Sequence, residues 1–249
     1  MSVSSGKTDA ENKVVLVAGG TGGLGRAVSL AFLAAGAKVT VTYRKREELD
    51  ELKNLARDGR TEDGGARLDA FDTDVTDEAA VTALVEGIAT RHGRLDALVN
   101  TVGGYAGGVK LWELDTKVFD QMLALNLRSG YALARAAVRV MLKQRSGAIV
   151  NVAAKAAIDH GAGASAYAAS KAAAVAMIDC LAEDLMGTGV RASSILPSII
   201  DTEANRKAMP KADFSKWPKA EDIARVILFL CGDEAKVIHG AAVPVFGNG

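Results

Sequence analysis

Tyr167 and Lys171 stand four residues apart in the run Tyr167-Ala168-Ala169-Ser170-Lys171, and that spacing puts two side chains on one face of a helix. A phenol ordinarily ionises near pH 10, too high for proton exchange at neutral pH, and a neighbouring cation stabilises the phenolate and lowers that value. The pair therefore has the makings of a general acid/base. Tyrosine and lysine at this spacing are commonplace on helices, so the reading depends on what other chemistry the chain gathers around them.

A second group lies far upstream. Gly19-Gly20-Thr21-Gly22-Gly23-Leu24-Gly25 follows a short apolar β-branched run and opens a helix-period stretch. Glycines there let a turn take positive φ and let the backbone approach a pyrophosphate, which then rests on a helix N-terminus with free N–H groups. A Gly-rich turn alone is weak; the strand before it and helix after it make it a dinucleotide cradle. The next candidate strand ends at Tyr43 and runs into Arg44, Lys45 and Arg46, where an acidic residue would otherwise hold the adenosine ribose hydroxyls. Cations there suit a 2′-phosphate, so NADP(H) is the preferred cofactor and NAD(H) the other candidate. The alternative is an exposed charge run at a helix start. Asp74-Val75 and Asn100, after the third and fourth strands, fall where loops would meet the adenine and the neighbouring ribose, although either also suits a turn cap.

The elements that must position these groups alternate. Candidate strands at 14–18, 39–43, 66–71, 97–100, 148–152, 190–196 and 241–246 are separated by helix-period stretches near 23–35, 45–57, 77–91, 115–143, 164–187 and 220–231. Strands alternating with helices predict a parallel seven-stranded, doubly wound α/β sheet of Rossmann type with helices on both faces. Ligands then bind beyond the carboxyl ends of the strands. Residues 199–218, with Pro210, Phe214, Trp217 and Pro218, read as a lid at that end.

Bulk properties narrow the function. At 249 residues, one catalytic domain over 13–249 behind a frayed tail at 1–12 is expected. Thirty basic residues balance thirty acidic ones, so nothing favours nucleic acid or an anionic membrane surface as partner. No run of about 18 apolar residues occurs, and the first twelve residues lack the apolar core of a secretory signal; the expectation is a cytoplasmic protein. Cys180 and Cys231 fall inside apolar helix patterns and read as buried core thiols. His92, His160 and His239 are scattered and read as surface residues, so no metal site is expected.

Together these motifs resemble the short-chain dehydrogenase/reductase family over nearly the whole chain. Gly19, Gly23 and Gly25 look like its glycine signature, with Ala18 where threonine is usual, and Asn100 to Gly103 like its strand-four motif, with Thr101-Val102 replacing an Asn-Ala pair. The resemblance implies a nicotinamide-dependent oxidoreductase in which Tyr167 is the acid/base and Lys171 binds the nicotinamide ribose and lowers the tyrosine pKa. By the same resemblance Asn126 serves a proton relay, and Thr21, Gly22, Leu24, Pro197 and Thr202 join the cofactor contacts. Members are commonly tetramers or dimers, and the Ala-rich stretches 115–143 and 164–187 suit helix packing between subunits.

One departure matters. The family's catalytic serine normally precedes the tyrosine by thirteen residues, and Ala154 stands there. Alanine offers no hydrogen bond to a carbonyl or alcohol oxygen. Either Ser165 substitutes, or the substrate does not build charge on such an oxygen. Residues 102–108, 154–157 and 201–214 locally resemble dihydropteridine reductases, which likewise manage with alanine. A quinonoid ring accepts hydride into an electron-poor π system and needs only a proton, and Tyr105, Phe214 and Trp217 would wall such a flat ring. Those reductases favour NADH and carry an acidic residue where this chain has Arg44. A general keto-reductase or alcohol dehydrogenase, and a non-catalytic cofactor-binding sensor, are the alternatives.

Overall fold

The computed structural model describes residues 10–56 and 67–247. Most of the expected tail, residue 57 of the second expected helix and Ala66 of the third expected strand lie outside the described residues. Within them the elements are β1 (Val14–Ala18), α1 (Gly23–Ala34), β2 (Lys38–Tyr43), α2 (Arg46–Leu55), β3 (Leu68–Asp72), α3 (Glu78–His92), β4 (Ala97–Asn100), α4 (Thr116–Leu123), α5 (Ser129–Gln144), β5 (Gly147–Val152), α6 (Ser165–Asp184), β6 (Val190–Pro197), α7 (Glu203–Ala208), α8 (Ala220–Leu230) and β7 (Ala242–Val245).

The strands form one seven-stranded sheet in the order β3-β2-β1-β4-β5-β6-β7, with every neighbouring pair parallel. Alternation along β1 shows why helices must cover both faces. Val15 and Val17 join a core with Phe32 of α1, Leu49 and Leu52 of α2, and Ile223 and Ile227 of α8. Val14, Leu16 and Ala18 join the opposite core with Val85 of α3, Leu133 of α5 and Ile178 of α6. Each such large apolar side chain contributes about 1.5–3 kcal/mol when fully buried. Among the described residues no helix is long and apolar enough to cross a membrane.

The chain winds outward from β1 through β2 to β3, then reverses through β4. A crevice opens at that switch point, beyond the carboxyl ends of β1 and β4. Thr101 ties its two sides together, its N–H and Oγ1 donating to the Ala18 carbonyl at 3.0 and 2.7 Å.

Several local expectations change. The single helix at 115–143 is two, joined by a π turn at Ala124–Arg128 in which the Ser129 N–H reaches back to the Ala124 carbonyl; a widened turn is a frequent device at functional sites. Asp77, Asp115 and Thr202 cap α3, α4 and α7 with their side chains. Residues 199–218 are not irregular throughout, since they hold α7, a 3-10 turn at Phe214–Lys216 and a bridge from Asp201 to Lys219. Cys231, at the end of α8, is buried, and burial pushes its thiol up to about 12. Cys180 is exposed because it follows Ile178, the inward residue of that turn of α6. Nor are all three histidines on the surface. His239 is half-buried with Nε2 2.6 Å from the Ala182 carbonyl oxygen, and His92 lies 3.6 Å from Asp69. Of the expected tail only residues 10–12 are described, Glu11 and Asn12 being exposed. Ala10 is buried, and the Asn12 N–H donates to the Gly36 carbonyl at 3.0 Å.

Candidate active site

The glycine turn between β1 and α1 is shaped by closeness. Gly19 sits at φ +72°, where an L side chain is strained, and a Cβ there would come 3.0 Å from Thr101 Oγ1. A Cβ on Gly25 would run into the Gly19 carbonyl oxygen, and one on Gly23 would come 2.9 Å from the Thr202 methyl. Helix α1 is preceded by Gly22, which brings no side-chain cap, and has no acidic residue in its first turn, so its orphan N–H groups and dipole face the crevice end uncompensated. A cradle without side chains at an uncapped helix start fits a dinucleotide pyrophosphate. Thr21 is buried, Leu24 packs into the core, and Thr202 overhangs the turn from the head of α7, its Oγ1 accepting the Asn205 N–H.

Arg44 lies just beyond β2 and is paired with Asp74 at 3.0 Å. Hydrogen bonds from the Thr76 hydroxyl and N–H, with Arg44 adding to them, hold the Asp74 carboxyl down at about 2. Lys45 is paired with Glu48 and Arg46 with Asp50. Each member of the basic run read as suiting a 2′-phosphate is thus paired with an acid, Asp74 across from Arg44 and Glu48 and Asp50 on α2 beside Lys45 and Arg46. Val75 is buried in the core on the α3 face. Asn100 donates from Nδ2 to Asn151 Oδ1 at 2.8 Å and accepts the Val102 N–H at 3.1 Å, so it fixes the turn after β4. Pro197 ends β6, paired with Val245 of β7.

Lys171 is 5 % exposed, and its Nζ donates to the Val152 carbonyl at the end of β5, 2.9 Å away. Burial pulls that ammonium down to about 8. Burial also pushes the Tyr167 phenol up to about 12, the Tyr105 side chain adding to it. The expected lowering of the tyrosine by the lysine is not what this geometry gives. Desolvation dominates at the phenol, while the lysine is tied to a backbone carbonyl. Asn126, brought in by the π turn, is buried and fully engaged. It accepts the Gly104 N–H, and its Nδ2 donates to the Gly104 carbonyl and to Ser170 Oγ, all within 2.9–3.0 Å. Ser170 in turn donates to the Tyr167 carbonyl at 2.8 Å. Gly103 admits this cluster, since a Cβ there would lie 2.8 Å from Asn126 Oδ1 and 3.0 Å from Lys171 Nζ. The linking residue, Ser170, escaped the sequence reading although its place one turn after Tyr167 put it on the same helix face.

The aromatic residues divide. Tyr105 meets Tyr167 edge to face with centroids 5.0 Å apart, whereas Phe214 and Trp217 contact each other at 4.9 Å. Among the described residues no ring contact joins the two pairs. Arg206 covers Phe214, so the expected three-sided aromatic wall is not assembled. Ala154 is buried two residues past the end of β5, its carbonyl accepting the Ala157 N–H. Ser165 opens α6, but its Oγ is shut away from the surface without a hydrogen-bond partner.

Comparison with known proteins accords with this arrangement. The short chain dehydrogenase family profile matches residues 13–213. The 3-oxoacyl-(acyl-carrier-protein) reductase of Thermotoga maritima is 31% identical over 246 residues, covering 96% of this chain and 98% of that one. Among solved structures, a short-chain type dehydrogenase/reductase from Mycobacterium ulcerans superposes with a TM-score of 0.87 at 26% identity, covering 96% of this chain and 90% of that one. ElxO with NADP bound gives 0.86 at 28% identity, covering 95% and 98%. With a glycine cradle fit for a dinucleotide and a buried lysine beside a tyrosine, the chain belongs to the short-chain dehydrogenase/reductase family, whose members are nicotinamide-dependent oxidoreductases.

Proposed function

We propose that this chain reduces a small-molecule acceptor, with Tyr167 donating the proton and NADP(H) preferred over NAD(H). The observation that carries the reading is the buried group of Lys171, Ser170 and Asn126 gathered behind Tyr167 at the end of β5. The cofactor, when bound, supplies the hydride. The turn Gly19 to Gly25 would hold its pyrophosphate, Arg44 and Asp74 would face its adenosine end, Asn100, Val75, Pro197 and Thr202 would line its path, and Lys171 would hold the nicotinamide ribose. Tyr167 keeps its proton until an acceptor oxygen or nitrogen takes it. A lysine as readily discharged as Lys171 can pass a proton on towards Asn126.

For the acceptor, the finer reading is a planar conjugated molecule, a quinonoid dihydropterin being the specific candidate. Its support is Ala154, which puts no hydroxyl where charge would develop on a carbonyl oxygen, and the Tyr105 ring set against Tyr167. Phe214 and Trp217 lend it no contact with that pair. A second reading, reduction of simple ketones, is favoured by the oxoacyl substrate named for the Thermotoga relative. The chain would act as one domain over 13–249, in the cytoplasm, as a homo-oligomer, a dimer or tetramer. Tyr131 and Leu142 on α5, both exposed, suit contact with another copy.

The test is steady-state oxidation of NADPH and NADH with quinonoid dihydropterin beside a panel of ketones and quinones. Turnover of the pterin or a quinone well above any ketone supports the conjugated acceptor. Turnover confined to ketones replaces it with the second reading, and tight cofactor binding without turnover on any acceptor overturns both.

A further inference from the structure

A groove opens beside the tyrosine that gives the proton. Tyr105 meets the Tyr167 ring edge to face, centroids 5.0 Å apart, and also lines a groove of about 460 Å³ whose further walls are Val109 on the same loop and Leu114 and Val118 at the start of α4. Two glycines let the loops close up in this way. A Cβ on Gly107 would run into the Tyr105 phenolic oxygen, so that ring rests against its own loop. Gly163, at φ +77°, lies where a Cβ would come 3.3 Å from the backbone of Gly108 and Val109, so the loop before α6 abuts the same wall. The groove therefore begins one ring away from Tyr167, and its size falls within the roughly 300–1,000 Å³ of sites for small organic ligands.

Apolar surface gathers at this end of the molecule. Tyr105, Leu111 and Trp112 are 70%, 65% and 80% exposed, and Ile158 and Ile199, in the segments after β5 and β6, are exposed as well. Single apolar residues on a surface are ordinary, but several on the loops around one cleft mark a surface that is covered in use. The charged residues on the groove wall are Glu113 and Asp115, both acidic.

We propose that this groove is a subsite for an apolar arm of the acceptor. The acceptor is then amphipathic, with its reacting head at Tyr167, a hydrocarbon arm along Val109, Leu114 and Val118, and an end that is neutral or cationic but not a carboxylate. The inference deepens the acceptor reading above, rests on Tyr167 as the proton donor, and holds for a conjugated or a ketone head alike. Each methylene laid against the apolar wall is worth up to about fourfold in affinity. A carboxylate at the end of the arm would meet the like charges of Glu113 and Asp115. An acceptor made of the reacting head alone would leave the groove and Trp112 in water.

Isothermal titration of 4-alkylphenols, from 4-methylphenol to 4-heptylphenol, into the chain with NADP+ present reads the arm without turnover. Wild type should bind successive members about two- to fourfold more tightly per methylene. Val109→Asp and Val118→Asp, neither at a residue of a buried core, should flatten the series. Leu55→Asp, at an exposed apolar residue of α2, should keep it. The same arm ending in a carboxylate, 7-(4-hydroxyphenyl)heptanoate, should bind about tenfold or more weakly than 4-heptylphenol, and Glu113→Gln should recover part of that loss. No gain with arm length in wild type, a gain that survives both Asp variants at the groove, a gain lost equally in Leu55→Asp, or a carboxylate end bound as well as the alkyl one would overturn the subsite. Light scattering that shows Val109→Asp dispersing an oligomer of the wild type would overturn it too, since the patch would then be a contact between copies. A series that keeps its slope in a chain that turns over no acceptor supports the subsite and removes the reading of the reaction instead.

Discussion

The ammonium of Lys171 is anchored to the carbonyl of Val152 by a 2.9 Å hydrogen bond, so the last residue of β5 sets where the cation lies and how little water reaches it. Burial brings Lys171 down to about 8 and pushes Tyr167 up to about 12. On raising the pH, the lysine is therefore the first of the two to lose its proton. Reduction, which needs a protonated tyrosine beside a cation, should run level from about pH 6 to 7.5 and fall through about 8. A pH–rate profile checks this, and a decline that persists unshifted in Lys171→Met assigns it to another group.

The same two values act on stability with opposite signs. The folded value of Lys171 lies below its ordinary 10.5, so the folded chain releases that proton first, and this group's contribution to stability rises from about pH 8 to 10.5. The folded value of Tyr167 lies above its ordinary 10.0, so its contribution is present below pH 10 and is lost as pH climbs towards about 12. Urea unfolding at pH 8 and pH 10 should show the gap between wild type and Lys171→Met moving in favour of wild type as pH rises; a gap that does not move contradicts a strongly desolvated lysine.

Tyr167→Phe removes one oxygen and leaves the ring that meets Tyr105 at 5.0 Å. The fold and the cradle at Gly19 to Gly25 should be untouched, with cofactor affinity within about twofold of wild type, while turnover falls by two or more powers of ten for want of a proton donor. Titration and initial rates together decide it. Full rate in the variant removes Tyr167 from the mechanism.

What the sequence revealed and what it hid divide along the range of the interactions concerned. The strands were legible because short β-branched apolar runs such as Val14 to Ala18 alternate with longer helix-period stretches, and the cradle because glycines between a strand and a helix have few other uses. Tyr167 and Lys171 were legible as a pair by helical spacing, and as a site only beside the glycine turn and the strand-end residues. The partners were not. That Arg44 faces Asp74 depends on β2 lying beside β3, and that Lys171 spends its bond on a backbone carbonyl depends on α6 crossing the end of β5; no local pattern encodes either. The break at 124–128 was hidden for a related reason. The apolar periodicity continues through it, and only the inward demand of Asn126 requires the wider turn. Cys180 was misplaced because an apolar neighbourhood along the chain does not say which side of α6 faces water.

Asn126 joins three segments, and its removal should show it. Asn126→Ala leaves the N–H and carbonyl of Gly104 and the hydroxyl of Ser170 short of a partner, at about 1–3 kcal/mol for a buried polar group left unpaired. Thermal unfolding should move down by several degrees, and the reduction rate should fall with it. Ser170→Ala breaks only the bonds through that hydroxyl and should cost less. If Asn126→Ala lowers the melting temperature but leaves rate and pH profile unchanged, Asn126 is a structural link and takes no part in proton transfer.

Ala154→Ser bears most directly on the substrate. The residue is 6% exposed, two residues past the end of β5, with extended backbone at φ −166°, so a serine changes little besides adding a hydroxyl. If the natural acceptor is a conjugated ring that takes hydride into its π system, that hydroxyl has no developing alkoxide to meet, and turnover should stay within about threefold of wild type. Ketone reduction in the same variant should rise by on the order of a hundredfold, the usual effect of one oxyanion donor. The reverse pattern, a large gain with the conjugated acceptor, would sink the account of why alanine is there. Ser165 supplies the control. Its hydroxyl is buried and unpartnered, so Ser165→Ala should leave ketone turnover alone; a marked loss would mean that α6 already provides the donor that β5 lacks, and the ketone reading would then stand.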